Sequence, residues 1–135
     1  MKTLALMLLL LLFAPALAQE KEKSPVPREF DTWWLVLLKK GESRSQGDDD
    51  AQKIQMQHLQ HLSKMRQSGK MKVAGPLEVA PDYPIRGICF YDGSLSEEEV
   101  RKLVEADPAV KAGRLTVEVI KWWLPKGGVV FPKPK

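Results

Sequence analysis

Cysteine is almost absent from this 135-residue chain, with Cys89 standing alone. A single thiol closes no intramolecular disulfide and forms no CxxC redox pair. It lies in an apolar stretch, where a small buried side chain is the default, and no neighbour in sequence would activate it as a nucleophile. Histidine is nearly as scarce, with only His58 and His61. The pair can share one helix face, as two metal ligands would, but no third ligand stands at metal spacing, so no metal site is expected. There is no P-loop and no GxGxxG turn, and no cofactor is expected. Charge of one sign is also weak, at a formal +4. Lys39-Lys40, Lys70, Lys72, Lys133 and Lys135 form no single strip and no nucleic-acid motif accompanies them, so they read as solvated surface and nucleic acid is not an expected partner.

Long hydrophobic runs are missing except at the start. Met1-Lys2 is a short basic segment, and Leu4 to Phe13 is a nearly unbroken apolar run, too short to span a bilayer comfortably. Ala16-Leu17-Ala18 then offers a small-x-small cleavage site before Gln19. Residues 1–18 therefore read as a signal peptide, with an uncleaved anchor as the lesser alternative. No cysteine stands at the cleavage point, as a lipoprotein would need. The expected location is periplasmic or secreted, with no stable membrane span after cleavage. The remaining length suits one domain.

Residues 19–31 are charged, carry Pro25 and Pro27, and read as a flexible lead-in. Trp33 to Leu38 is a short apolar run of strand formers. After the polar loop Gly41 to Asp50, the acids Asp48, Asp49 and Asp50 favour capping and suit the dipole of a first helix, and Gly69 suits the position past its end. Met71 to Ala74 reads as a second strand ending at Gly75-Pro76, and Ile85 to Tyr91 as a third. Ser96 with Glu99 makes a capping box, with Ser94 and Glu97 as an alternative, for a second helix reaching about Ala106. Pro108 ends it and pushes Asp107 out of helical geometry. From Leu115 to Trp123 apolar and polar residues alternate, which predicts a fourth strand.

The order β-α-β-β-α-β predicts a ferredoxin-like α+β sheet over residues 32–124 with both helices on one face, followed by a flexible tail, 125–135. The first strand, Trp33-Trp34-Leu35-Val36-Leu37-Leu38, is apolar on both faces. Two helices cover one of them, so the other needs a cover. A second copy packing sheet to sheet is the economical answer, and a homodimer is expected. The tail is the alternative cover, disfavoured by Gly127-Gly128 and its prolines.

One residue disturbs the helix pattern. At about 100° per residue, Ile54, His58, Leu62 and Met65 form one stripe, with Leu59 at its edge and His61 on its flank, partly exposed. A core-facing imidazole needs a partner for its ring nitrogens or it costs stability. His58 is therefore the candidate site.

The segment His58-Leu59-x-x-Leu62-x-x-Met65-x-x-x-Gly69-Lys70-x-x-x-Ala74-Gly75-Pro76 resembles the central motif of the YCII-related family. Ser94 to Glu99 opening a helix, then Asp107-Pro108, then Ala112-Gly113 before the last strand, is similar to the same family's second half. The likeness spans about Trp33 to Trp123. It implies a dimeric ferredoxin-like α+β barrel and a His–Asp pair as the active site, which by motif position is His58 and Asp107. Some relatives are dehydrochlorinases acting on chlorinated aromatic diols. The export signal, the Pro-rich lead and the basic tail depart from the family's usual small cytoplasmic form.

Two readings follow. In one, Asp107 fixes the His58 tautomer and the other ring nitrogen acts as general acid or base, in lyase or isomerase chemistry on a small molecule, such as an aromatic one, held between the first helix and the sheet. In the other, the pair stitches two helices together in a non-catalytic ligand-binding or scaffold module of the cell envelope. Trp33-Trp34 and Trp122-Trp123 read as core or interface residues, and Gly75-Pro76 as a strand end approaching the site through backbone alone. Arg86 and Lys70 read as solvated cations rather than an anion site. The facing of Tyr91 and Glu118 is not fixed by the pattern.

Overall fold

The computed structural model describes residues 29–132. The signal peptide, all of the lead-in before Glu29, and Lys133 and Lys135 lie outside the described residues. The elements are β1 (Phe30–Lys40), α1 (Asp48–Gln67), β2 (Met71–Pro76), β3 (Ile85–Asp92), α2 (Glu97–Glu105), α3 (Pro108–Lys111) and β4 (Leu115–Pro125). They build one four-stranded sheet in the order β2-β3-β1-β4, with every neighbouring pair antiparallel. This is the ferredoxin-like α+β arrangement: β1 and β2 are joined across α1 with β3 lying between them.

Alternation along β1 decides which face holds the core. Trp34, Val36 and Leu38 are buried, and they pack with Met71, Cys89, Tyr91, Val100 and Val104 beneath the helices. Each such aliphatic or aromatic side chain contributes roughly 1.5–3 kcal/mol relative to exposure. The indole N–H of Trp34 donates to the Leu95 carbonyl at 2.8 Å, so the β3–α2 connection is tied to the central strand. Tyr91 belongs to this buried face, whereas Glu118 is exposed and pairs with Lys39 at 3.3 Å.

Several boundaries differ from the sequence reading, each for a physical reason. β1 is longer at both ends than Trp33 to Leu38, because β4 pairs alongside it from Phe30↔Pro125 to Lys40↔Leu115. The last residues of the expected lead-in are thus strand. The three aspartates of α1 lie inside its first turn, where they complement the positive end of the dipole, while Gly47 is the N-cap and makes no side-chain cap bond. Gly69 does take a positive φ, 74°, just past the helix. The Ser96–Glu99 capping box forms in full. After α2 the chain makes a further helix, α3, with Asp107 as N-cap and Pro108 opening it, where Pro's missing N–H costs nothing.

The second face of the sheet is partly covered by the tail. Phe131 meets Trp33 edge-on at 4.9 Å and Phe90 at 5.9 Å, and Phe90 meets Trp122 at 5.2 Å. A turn holds the tail back: Gly127 has φ 74°, its N–H donates to Asp31 at 2.7 Å, and the Lys126 ammonium pairs with Glu29 at 2.6 Å. The tail therefore does what its glycines and prolines argued against, because those residues make the reversal rather than prevent packing. Further along the same face Ile120 remains 37% exposed. Among the described residues no helix is long and apolar enough to cross a membrane.

Asp92 closes β3 and contacts the Lys72 ammonium at 2.6 Å and the Ser94 hydroxyl at 2.7 Å. Burial pushes its pKa up, but the bonds from Lys72 and Ser94 outweigh that and hold it at about 2. The native pKa is depressed, so this group's contribution is complete above the ordinary carboxylate pKa near 4 and is lost as pH falls towards 2. Asp92→Asn should flatten the stability profile between about pH 4 and 2 while changing its neutral-pH slope little; urea midpoints across that window would measure it, and an unchanged acid limb would refute the assignment.

Candidate active site

His58 is the one buried residue of α1, and Asp107 is 2% exposed at the start of α3. The structure brings them together across 49 positions of sequence, with His58 Nδ1 at 2.7 Å from Asp107 Oδ2. Asp107 is extended (φ −63°, ψ 127°), as the residue before proline prefers, and its Oδ1 accepts the Ala109 N–H at 2.8 Å. Each carboxylate oxygen thus has its own donor. As an ionised carboxylate only accepts, Nδ1 of His58 carries the donated hydrogen and Nε2 is left with its lone pair in the neutral ring. Nε2 has no protein partner among the described residues, and His58 lines a cavity.

That cavity measures about 640 Å³, within the range of small-molecule sites. Leu59 and Leu62 of α1, Leu38 of β1 and Pro76 of β2 supply apolar wall. Leu59 is 50% exposed because it lies on this rim rather than against the core. The floor is close backbone: a Cβ on Gly87 would sit 2.8 Å from the Gly75 carbonyl oxygen, so glycine lets β2 and β3 end side by side there. Gly75 lines the cavity, and a Cβ there would meet nothing within 4 Å.

The polar wall is cationic. Lys40, Arg44 and Arg86 line the cavity with Gln55 and His58. Arg86 corrects the expectation of a solvated surface cation, while Lys70, exposed and away from the cavity, conforms to it. Arg86 owes its place to an irregularity: Leu38 pairs with Gly87 and Lys39 with Ile85, leaving Arg86 as the extra residue of β3. A bulge re-aims such a side chain, and no sequence pattern announced this one. Lys40, read from the sequence as solvated surface, is exposed but also lines the cavity, and its place in the inward alternation of Trp34, Val36 and Leu38 was the signal that could have found it. Arg44, in an aperiodic loop, carried no signal.

Two other buried groups are chemically quiet. Burial, with the Asp107 charge adding to it, pushes the Cys89 thiol up to about 12, so it stays protonated at neutral pH. Burial raises the Tyr91 hydroxyl too, with Cys89 and Asp107 contributing. His61 is half-buried on the helix flank, and its Nε2 is enclosed without a partner among the described residues. No group of three or more His, Cys, Asp or Glu side chains among the described residues is placed to hold a metal ion.

The model of the YCII-related domain matches residues 32–123. The chain belongs to that family. No curated protein matches it significantly. Among solved structures, it is similar to a 5-chloro-2-hydroxyhydroquinone dehydrochlorinase from Burkholderia phenoliruptrix AC1100, in complex with 2,5-dihydroxybenzoquinone. The likeness is 24% identity over 67% of this chain and 92% of that chain, with a TM-score of 0.49.

The double bonding of Asp107 makes its replacement readable by stability alone. Asp107→Ala removes an N-cap and strands a buried imidazole N–H, and should cost about 2–4 kcal/mol. Asp107→Asn retains an oxygen for the Ala109 N–H and should cost clearly less. Urea unfolding of both variants measures the difference; equal losses would mean that the cap bond contributes nothing.

Proposed function

We propose that this YCII-related protein is an exported homodimeric enzyme that uses His58 and Asp107 for acid–base chemistry of the lyase or isomerase type on a small cyclic molecule. The observation that carries the reading is the open cavity beside His58, with polar groups converging on it. A purely structural histidine would sit in a filled contact, with no reason for an unpaired nitrogen beside a cavity of ligand size.

In this mechanism Asp107 is a positioning residue. It holds the Nδ1 hydrogen, orients the ring and stabilises the imidazolium that forms when Nε2 takes a proton. The bound molecule lies against Leu59, Leu62 and Pro76, with its acidic C–H or O–H at Nε2. The proton leaves substrate as the general-base step and is returned to product or leaving group by the same nitrogen. Nothing here requires a covalent intermediate, and the high pKa of Cys89 argues against a thiolate one.

Assembly and location belong to the same proposal. The part of the second sheet face beyond Phe131, including Ile120, supports sheet-to-sheet pairing of two copies. The apolar run Leu4 to Phe13 with its small-residue cleavage site supports export to the periplasm or beyond.

The test is deuterium wash-in from heavy water, read by mass spectrometry, over a panel of small aromatic, phenolic and carboxylate compounds. At least one compound should exchange faster with the protein present. His58→Ala should remove that catalysis, and Asp107→Asn should slow it by about 10²–10⁴-fold while the dimer stays folded. A catalysed exchange that survives His58→Ala would overturn the assignment. So would a panel without exchange combined with a His58→Ala variant that only loses stability, which is the behaviour of a scaffold module.

A further inference from the structure

The cations in and beside the cavity have no counter-charge among the described residues. Ion pairs among the described residues join Lys39 to Glu118, His58 to Asp107, Lys72 to Asp92, Arg101 to Glu97 and Lys126 to Glu29. None of them includes Lys40, Arg44, Arg86 or Arg114. Among the described residues no carboxylate lines the cavity. The guanidiniums are instead held by neutral acceptors. Arg44 Nε donates to the Gly41 carbonyl at 3.4 Å, Arg86 donates to the Pro81 carbonyl, and Arg114 Nη1 donates to Gln46 Oε1 at 2.9 Å. These bonds restrain the side chains without neutralising them.

Partial burial, then the Arg114 charge, then the Arg86 charge pull the Arg44 pKa below its ordinary value, so Arg44 stands close enough to both to feel their charge. Solvated surface cations point apart at little cost. Here one is delivered by a bulge in β3 and another by the β1–α1 loop. That loop is fastened at its base by Gly41 N–H to the Arg114 carbonyl at 2.9 Å and Ser43 N–H to the Gly113 carbonyl at 3.1 Å. A Cβ on Gly41 would fall 2.1 Å from the Gly113 oxygen, so this attachment requires glycine.

We propose that the ligand of this cavity is an anion, a small aromatic carboxylate whose carboxylate group is held by Arg44 and Arg86 while its ring lies on the Leu59–Leu62–Pro76 wall and reaches His58. The inference rests on the reading of His58 as the reacting group and adds the substrate class. Planar guanidinium pairs carboxylate oxygens in a fork that a single ammonium does not offer. The apolar wall selects against a bare anion such as phosphate, which would leave that surface empty.

The experiment uses the full mature chain, with salicylate and its neutral amide, salicylamide, as a shape-matched pair, inorganic phosphate as a third probe, and calorimetry as the readout. Salicylate should bind at least tenfold more tightly than salicylamide, and its affinity should fall as sodium chloride rises. The double variant Arg44→Gln/Arg86→Gln should erase that preference, bringing salicylate down to the affinity of salicylamide. Lys70→Gln should change neither. Circular dichroism confirms folding, and the single variant Arg44→Gln, altered only on an exposed loop, should by itself reduce the preference. Equal binding of the pair, or a preference that survives the double variant, overturns the proposal. So does absence of salicylate binding, or binding of phosphate alone. Failure here is distinct from failure of the acid–base reading. A lost charge preference with His58-dependent exchange intact refutes only the anion. An intact preference in wild type and His58→Gln alike, with no His58-dependent exchange on any compound, refutes only the catalysis.

Discussion

The contact between His58 and Asp107 ties the middle of α1 to the start of α3 through two side chains removed from water. His58 stands in the middle of α1, a helix with a weakly buried face in which it is the one fully buried residue. Asp107 ends one helical segment and begins another. Their bond at 2.7 Å adds to the packing of Leu62 and Met65 in holding α1 over the sheet, and both His58 and Leu62 line the cavity. A carboxylate and an imidazole removed from water need every polar atom satisfied. Asp107 meets that demand through the Ala109 N–H, so the local geometry of an Asp-Pro helix start and the long-range geometry of the site are one constraint.

The fold was legible because its signals were redundant. Strand alternation in β4, a full capping box at Ser96, the Asp-Pro stop and the glycine after α1 each specify a local structure, and together they allow few topologies. His58 was legible because a titratable ring on an apolar stripe breaks the pattern around it, and Asp107 through motif spacing. What escaped was set by tertiary contact. The extra residue in β3 that aims Arg86 at the cavity depends on how two strands pair, not on the composition of either. The return of the tail to Trp33 depends on Asp31 and Glu29 being in reach of Lys126 and Gly127, nearly a hundred positions away in sequence. Helix α3 is too short to carry a periodic signature.

Electrostatic polarity divides the site into two zones. Deep in the fold, the Asp107 charge stands beside Cys89 and Tyr91, discourages both from ionising, and is met by the His58 ring. At the mouth the charges are positive and, among the described residues, without an acidic partner. A molecule entering from solvent therefore passes from a positive rim towards a negative interior, with the imidazole at the boundary. In a low-dielectric cavity such a gradient orients a bound dipole before any chemistry occurs.

The burial of Cys89 has a bearing on durability. A side chain 1% exposed, with its thiol pKa pushed to about 12, offers neither access nor thiolate to an oxidant. A chain with one reactive thiol is prone to link to its neighbours through intermolecular disulfides in an oxidising environment. This one is shielded by the same core packing that supports Asp107, so its copies stay free of covalent cross-links for as long as the sheet remains folded.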